Sequence, residues 1–330
     1  MSFRIFVFLL LLPLTNSICF SQQQFTDYED LKGSIQVGPD GISIDKTARG
    51  YTLLLPDGNK EIRGLVVMFE GRRVTLSSIS DEMIIHPHAF HRGLGVIYVS
   101  TGNPVNFFFD EESMITIRNI IRKACDEHNV TTNNLFFAGM SIGGTQALKF
   151  AIFCEKNPKK CGLIPDAVAL VDAPLDMKRF WHATERAEKV DYHPSGAGEG
   201  VWVSYWLEKN LGGTPLENPQ AYIDYSPYTY TAEKLKNIGG NAKYLADIPV
   251  RAYHEPDVNW WLENRRYGYY SMNSIDMAGL INALKILGNT DAQLITTHNQ
   301  RKDPELSPHT WSIVNNEKLM SWFASFIDKN

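Results

Sequence analysis

The segment Leu135-Phe136-Phe137-Ala138-Gly139-Met140-Ser141-Ile142-Gly143-Gly144 carries the pattern G-x-S-x-G at Gly139, Ser141 and Gly143. The bare five-residue pattern recurs by chance in many long chains. Its setting is what counts here: an apolar run leads in and an amphipathic stretch leads out, the strand–turn–helix context the pattern needs. A chain that turns from strand to helix within about one residue lifts a serine hydroxyl to the tip of the turn. Without Cβ atoms at Gly139 and Gly143, neighbouring backbone can pass closely. The helix beginning after Ser141 aims its first N–H groups and the positive end of its dipole at any negative charge developing there. The N–H of Ile142 is therefore expected to donate to an oxyanion. The chemistry is nucleophilic attack on a carbonyl, and near neutral pH a serine needs a basic partner for that, usually histidine.

Elements to hold such a serine are visible along the chain. Between about Ile35 and Arg63 the pattern alternates and contains turn signals such as Pro56-Asp57-Gly58, which predicts antiparallel strands. Gly64–Phe69 and Gly95–Val99 are near-continuous apolar runs, as in strands buried on both faces. From Glu111 to Asn129, Met114, Ile117, Ile120, Ile121 and Cys125 fall on one helical face. Asn134–Gly139 reads as a strand, Gly143–Phe153 as a helix and Ala167–Val171 as another strand. Residues 175–246 break this rhythm and are too long for a plain loop. They read as a mostly helical lid or cap, rich in Trp and Tyr: Trp202, Tyr205, Trp206, Tyr222, Tyr225, Tyr228 and Tyr230. Then come a strand at Ile248–Tyr253, a helix at Met277–Leu287, a strand at Gln293–Thr297 and a closing helix at Glu317–Ile327. Alternating strands and helices predict an α/β fold with a mostly parallel sheet flanked by helices. Ligands are then expected beyond the carboxyl ends of the strands.

The elbow and the element order around it resemble the α/β-hydrolase superfamily, in the style of its esterase and prolyl-oligopeptidase-like members. The resemblance runs from about Gly64 to the C-terminus, the insertion excepted. It implies a catalytic serine, acid and histidine in that chain order. The histidine belongs in the loop after the last strand, where His309 stands in Ser307-Pro308-His309-Thr310-Trp311; His298, at the strand end, reads as a polar terminus. The resemblance places the acid after the strand 248–253, at Asp257 in His254-Glu255-Pro256-Asp257, although the usual glycine of that turn is missing. Glu255 and Asp172 remain alternatives, Asp172 following the preceding strand in Val171-Asp172-Ala173-Pro174. A second oxyanion donor is implied in the loop Glu70-Gly71-Arg72-Arg73, at Gly71 or Arg72; Arg72 could also meet an anionic substrate group. The expected activity is hydrolysis of a carboxylic ester, with no cofactor or metal. The rivals are a peptidase using the same residues and an inactive hydrolase fold that only binds.

Composition narrows the alternatives. The 330 residues are 44% hydrophobic and 21% charged, with a formal net charge of −5. That suits a globular chain with a large core. It lacks the basic stripe that phosphate neutralisation demands, so a nucleic-acid partner is not expected. Arg4 followed by the apolar stretch Ile5–Leu14 reads as a signal peptide over residues 1–21, with Cys19 and Ser21 at the small positions before a cleavage site and Gln22 as the mature start. Lipoprotein processing at Cys19 is the alternative. The remainder, 22–330, reads as one domain with the insertion, exported to the periplasm or beyond, with no later segment apolar enough to span a bilayer. In an oxidising compartment Cys154 and Cys161 could pair, whereas Cys125 reads as a buried free thiol. His86, His88 and His91 lack the helical His/Glu spacing of a metal site and read as a solvated loop. Some of the aromatics at the lid and at Trp260 and Trp261 are expected to line the mouth and favour a bulky or saccharide-linked small-molecule ester.

Overall fold

The computed structural model describes residues 22–58, 61–231 and 237–327; the expected signal peptide at 1–21 lies outside them. Ten strands form: β1 (Gln22–Asp30), β2 (Ser34–Gln36), β3 (Ser43–Asp45), β4 (Ala48–Pro56), β5 (Gly64–Glu70), β6 (Leu94–Thr101), β7 (Leu135–Met140), β8 (Pro165–Val171), β9 (Val250–His254) and β10 (Gln293–Thr296). Eight of them build one sheet in the order β1-β4-β6-β5-β7-β8-β9-β10. From β6 to β10 the neighbours run parallel, while β4 pairs antiparallel with both β6 and β1. Strand β1 precedes Ile35, where the alternating pattern of the sequence first predicts strands. The segment QQQFTDYED carries few apolar residues, and its burial alternates only loosely because it is an edge strand.

The apolar runs become central strands for a simple reason. Side chains alternate across a strand, so a strand covered on both faces must be apolar at every position. Leu65, Val67 and Phe69 of β5 and Leu135 and Phe137 of β7 enter one core. They share it with α2 (Glu111–His128), α3 (Ile142–Lys156) and α9 (Ser274–Ile286). Val66 and Met68 of β5 and Phe136 and Ala138 of β7 enter the other, against α1 (His86–Phe90) and α10 (Asn316–Ala324). The result is a three-layer α/β/α arrangement. The three histidines expected in a solvated loop belong instead to α1 and its end, with His86 buried.

After α4 (Pro158–Cys161) and β8, the insertion supplies α5 (Met177–Val190), α6 (Pro194–Leu211) and α7 (Pro219–Tyr225). It has an apolar cluster of its own: Phe180, Trp181, Trp206, Leu207 and Tyr222 pack with Val105 and Phe107 of the loop after β6. Most of its aromatics therefore pack against the body of the protein. The short α8 (Val258–Arg265) follows β9. Cys154 and Cys161 are joined in a disulfide, and Cys125 is a buried free thiol. Among the described residues, no helix is long and apolar enough to cross a membrane.

Candidate active site

Ser141 stands at the end of the central strand β7, between it and α3. Its backbone is at φ 55°, ψ −127°, a conformation that L-residues rarely adopt and that the surrounding structure must enforce. The two pattern glycines show how. A Cβ on Gly139 would lie 2.3 Å from the carbonyl carbon of Gly143, and one on Gly143 would lie 2.6 Å from the carbonyl oxygen of Phe69 at the end of β5. The turn can be this sharp only with bare backbone at both places. The Ser141 N–H donates to the Val171 carbonyl at 2.9 Å, and Thr145 ties the first turn of α3 to Pro174 at 2.6 Å. The elbow is thereby clamped to the end of β8. Ile142 opens α3, so its N–H has no acceptor within the helix, and the residue lines the cavity at Ser141.

Asp172 is the first residue past β8. It too has a positive φ, of 41°, and is 5% exposed. Its N–H donates to Tyr253 O of β9 at 3.0 Å, and its carbonyl accepts from the Asn273 side chain at 3.0 Å. The carboxylate so positioned meets His309: Nδ1 and Asp172 Oδ2 are 2.6 Å apart. The loop carrying His309 is anchored from two sides. Thr310 Oγ1 and the Ser312 N–H both donate to Glu82, and the buried Trp311 donates to Asn316. Burial disfavours a charged His309, but the Asp172 hydrogen bond and charge, with Glu199 adding, outweigh it and hold the pKa above 6.5.

Asp257, the acid expected beside His309, is not brought to it; the carboxylate there belongs to Asp172, one of the two alternatives. Asp257 caps α8, accepting from the Trp260 N–H at 3.0 Å, and its other oxygen meets Arg301 Nη2 at 2.6 Å. Glu255, the other alternative, is buried. It accepts from Thr297 and Gln300 and lies 3.0 Å from Arg301 Nε. Both residues fasten the loop that leads to His309 and leave the histidine to Asp172. Gly71, expected as a second oxyanion donor, follows β5 and is not among the residues lining the cavity at Ser141. It sits against Pro104, where a Cβ would come within 2.6 Å of the Pro104 Cα, and Thr47 donates to its carbonyl. Arg72 lines a separate small recess with Glu70 and Tyr98.

Ser141, Ile142, Asp172 and His309 line one cavity of about 150 Å³. Its far wall comes from the insertion, through Phe180, Ala183 and Thr184 of α5 and Ser195, Gly196 and Glu199 of α6. Trp261, Arg265 and Tyr267 complete it, with the Trp261 and Tyr267 rings stacked at 5.5 Å. Of the expected mouth aromatics, only Trp261 is on this wall. Glu199 is a residue that sequence reasoning missed, because a single Glu in a Gly-rich helix start carries no signal. Burial raises its pKa, against the lowering effect of His309 and Arg265. Among the described residues there is no group of three His, Cys, Asp or Glu able to hold a metal ion.

No protein-family model and no curated protein matches the chain in sequence. Solved structures do match in shape. A puromycin-hydrolyzing peptidase of Mycobacterium tuberculosis superposes with a TM-score of 0.54 at 16% identity over 91% of this chain and 40% of that one. The acylaminoacyl peptidase of Pyrococcus horikoshii does so with a TM-score of 0.52 at 16% identity, over 94% and 42%. Carboxyl esterase 2 of the fungus Tuber melanosporum gives 0.51 at 13%, over 92% and 88%.

The chain has the α/β-hydrolase fold.

Within that fold, Ser141, Asp172 and His309 come in the order serine, acid, histidine, each beyond the carboxyl end of a strand. The chain spans about two fifths of the length of the two peptidases and most of the length of the esterase.

Proposed function

We propose that the protein is a serine hydrolase that cleaves a carboxylic ester through an acyl-enzyme, with Ser141 as nucleophile, His309 as base and Asp172 orienting it. The observation that carries this reading is the 2.6 Å contact between His309 Nδ1 and a buried Asp172, in a cavity shared with a serine held at φ 55°. With Nδ1–H donated to Asp172, the other ring nitrogen, Nε2, is free to take the proton of Ser141 Oγ as it attacks the carbonyl carbon. The negative oxygen of the tetrahedral intermediate falls to the Ile142 N–H and the dipole of α3. Collapse expels the alcohol, which takes the proton from His309. Water then gives its proton to His309 and attacks the acyl carbon, and Ser141 recovers its own proton as the acid leaves.

The same reading carries two further proposals. Residues 1–21 are a signal peptide and the mature protein is exported; the Cys154–Cys161 disulfide supports an oxidising destination. Residues 175–246 act as a lid, supported by the cavity wall that α5 and α6 provide. The structural neighbours named as peptidases make a peptide bond the second substrate to try. Hydrolysis of a p-nitrophenyl ester series by the protein from Gln22 onward, beside Ser141→Ala, tests the proposal. Turnover lost in the variant is the expected result; turnover kept in it removes Ser141 from the reaction.

A further inference from the structure

A second and larger concavity adjoins the catalytic one. It measures about 900 Å³, against about 150 Å³ at Ser141, and the two share Ala183 and Ser271 in their walls. Ligand pockets usually measure about 300–1,000 Å³. The catalytic cavity alone is small by that standard, and the groove beside it is not. At the boundary, Arg179 of the groove donates to Ser271 O and to the Asn273 side chain, both on the wall of the cavity at Ser141.

The groove has an apolar, aromatic surface with a basic rim. Tyr230 and Tyr270 present rings that are 80% and 79% exposed. The rim comes from α5, where Lys178, His182 and Arg186 recur every fourth residue and so share one face of the helix. None of the three forms an ion pair among the described residues. The two acids in the groove are already engaged. Asp276 is paired with Arg179 at 2.5 Å and accepts the Leu175 and Asp176 N–H groups. Asp176 caps α5 and accepts from Thr229 and the Tyr230 N–H. Among the described residues, what the groove offers a ligand is therefore exposed aromatic surface and the unpaired charges of Lys178 and Arg186.

We propose that this groove is a subsite for a carboxylate carried on a ring, forming the part of the ester substrate that the cavity at Ser141 cannot hold. The ring lies on Tyr230 or Tyr270, and the carboxylate meets Lys178 and Arg186. The proposal rests on the hydrolase reading for its place in the reaction, but the groove can be tested without hydrolysis.

The test compares matched substrates, 4-carboxyphenyl acetate with the neutral 4-carbamoylphenyl acetate, and an acetylated methyl glucuronoside with its uronate methyl ester. Two partly exposed ion pairs favour the charged member by about tenfold in kcat/KM, mainly through KM. In Lys178→Glu/Arg186→Glu the ratio falls to one or below. The aromatic and sugar pairs show which kind of ring is preferred. Equal rates within both pairs in the wild type, or a preference that survives the double charge reversal, overturn the proposal. In parallel, 4-hydroxybenzoate is titrated into Ser141→Ala protein by calorimetry, with and without the charge reversals. Binding that the reversals abolish upholds the groove even if no ester is cleaved, in which case only the hydrolase reading falls. Ester turnover with no binding and no charge preference upholds the hydrolase reading and removes the groove.

Discussion

At the scale of single residues, the account turns on which carboxylate serves His309. Asp172 and Asp257 lie at the ends of adjacent strands and both are acids that fit a strand-to-loop turn, so position along the chain does not separate them. Partners do. Asp172 holds the imidazole at 2.6 Å, whereas Asp257 holds Arg301 and the start of α8. Asp172→Asn is expected to lower kcat by about 10⁴-fold, the effect of neutralising the orienting acid of a Ser-His-Asp triad. Asp257→Asn is expected to stay within about tenfold of wild type. Steady-state kinetics on the same ester checks both. The protonation of His309 gives a second prediction. Its pKa is held above 6.5 by Asp172 and Glu199 against the effect of burial. The base works only when neutral, so the acid limb of kcat/KM should have its midpoint above 6.5. Glu199→Gln removes a negative charge that favours the imidazolium, so that midpoint should move to lower pH. A pH–rate profile that Glu199→Gln leaves in place, or moves upward, contradicts this.

At the scale of elements, the strands and helices that position the site were legible because their physics is local. Apolar runs such as Gly64–Phe69 had to be buried on both faces. The Gly139–Gly143 spacing needed bare backbone on both sides of a sharp turn, and the close approaches to Gly143 and Phe69 show why. The acid was harder to read. Its choice depends on Arg301, a residue 44 positions from Asp257 that holds the Asp257 carboxylate. No local pattern encodes that pairing. Arg301 has an almost fully buried side chain, set between Glu255 and Asp257. Removing one partner of a buried ionic group costs about 3–5 kcal/mol. Arg301→Met should therefore lower the unfolding free energy by about that much in urea titration. It should also lower kcat, because the loop from Thr297 to His309 loses its anchor. Full stability in Arg301→Met denies the cluster this role.

At the scale of the whole molecule, two layers of helices close over a sheet whose carboxyl edge carries Ser141 and Asp172, and α5 and α6 wall the cavity there. The insertion could be seen in the sequence as an interruption of the strand–helix rhythm. Its roles could not, because Trp206 and Tyr222 look the same in sequence whether they pack inward or face a substrate. In the structure both are buried in the cluster with Phe107. The Cys154–Cys161 bridge closes an eight-residue segment at the end of α3. In the chain-entropy account a loop of that size is worth about 2–3 kcal/mol. Cys154→Ser/Cys161→Ser should be destabilised by about that amount, read from its denaturant midpoint, with activity at ambient temperature retained. An unchanged midpoint says that the pair is not joined in the folded protein.

The most direct test of the central claim is covalent labelling. The protein from Gln22 onward is treated with a fluorophosphonate probe, and the modified peptide is identified by mass spectrometry, beside Ser141→Ala and Asp172→Asn. The account predicts one adduct, on Ser141, absent from Ser141→Ala and formed much more slowly in Asp172→Asn. An adduct on another serine, or none on the folded wild-type protein, contradicts it.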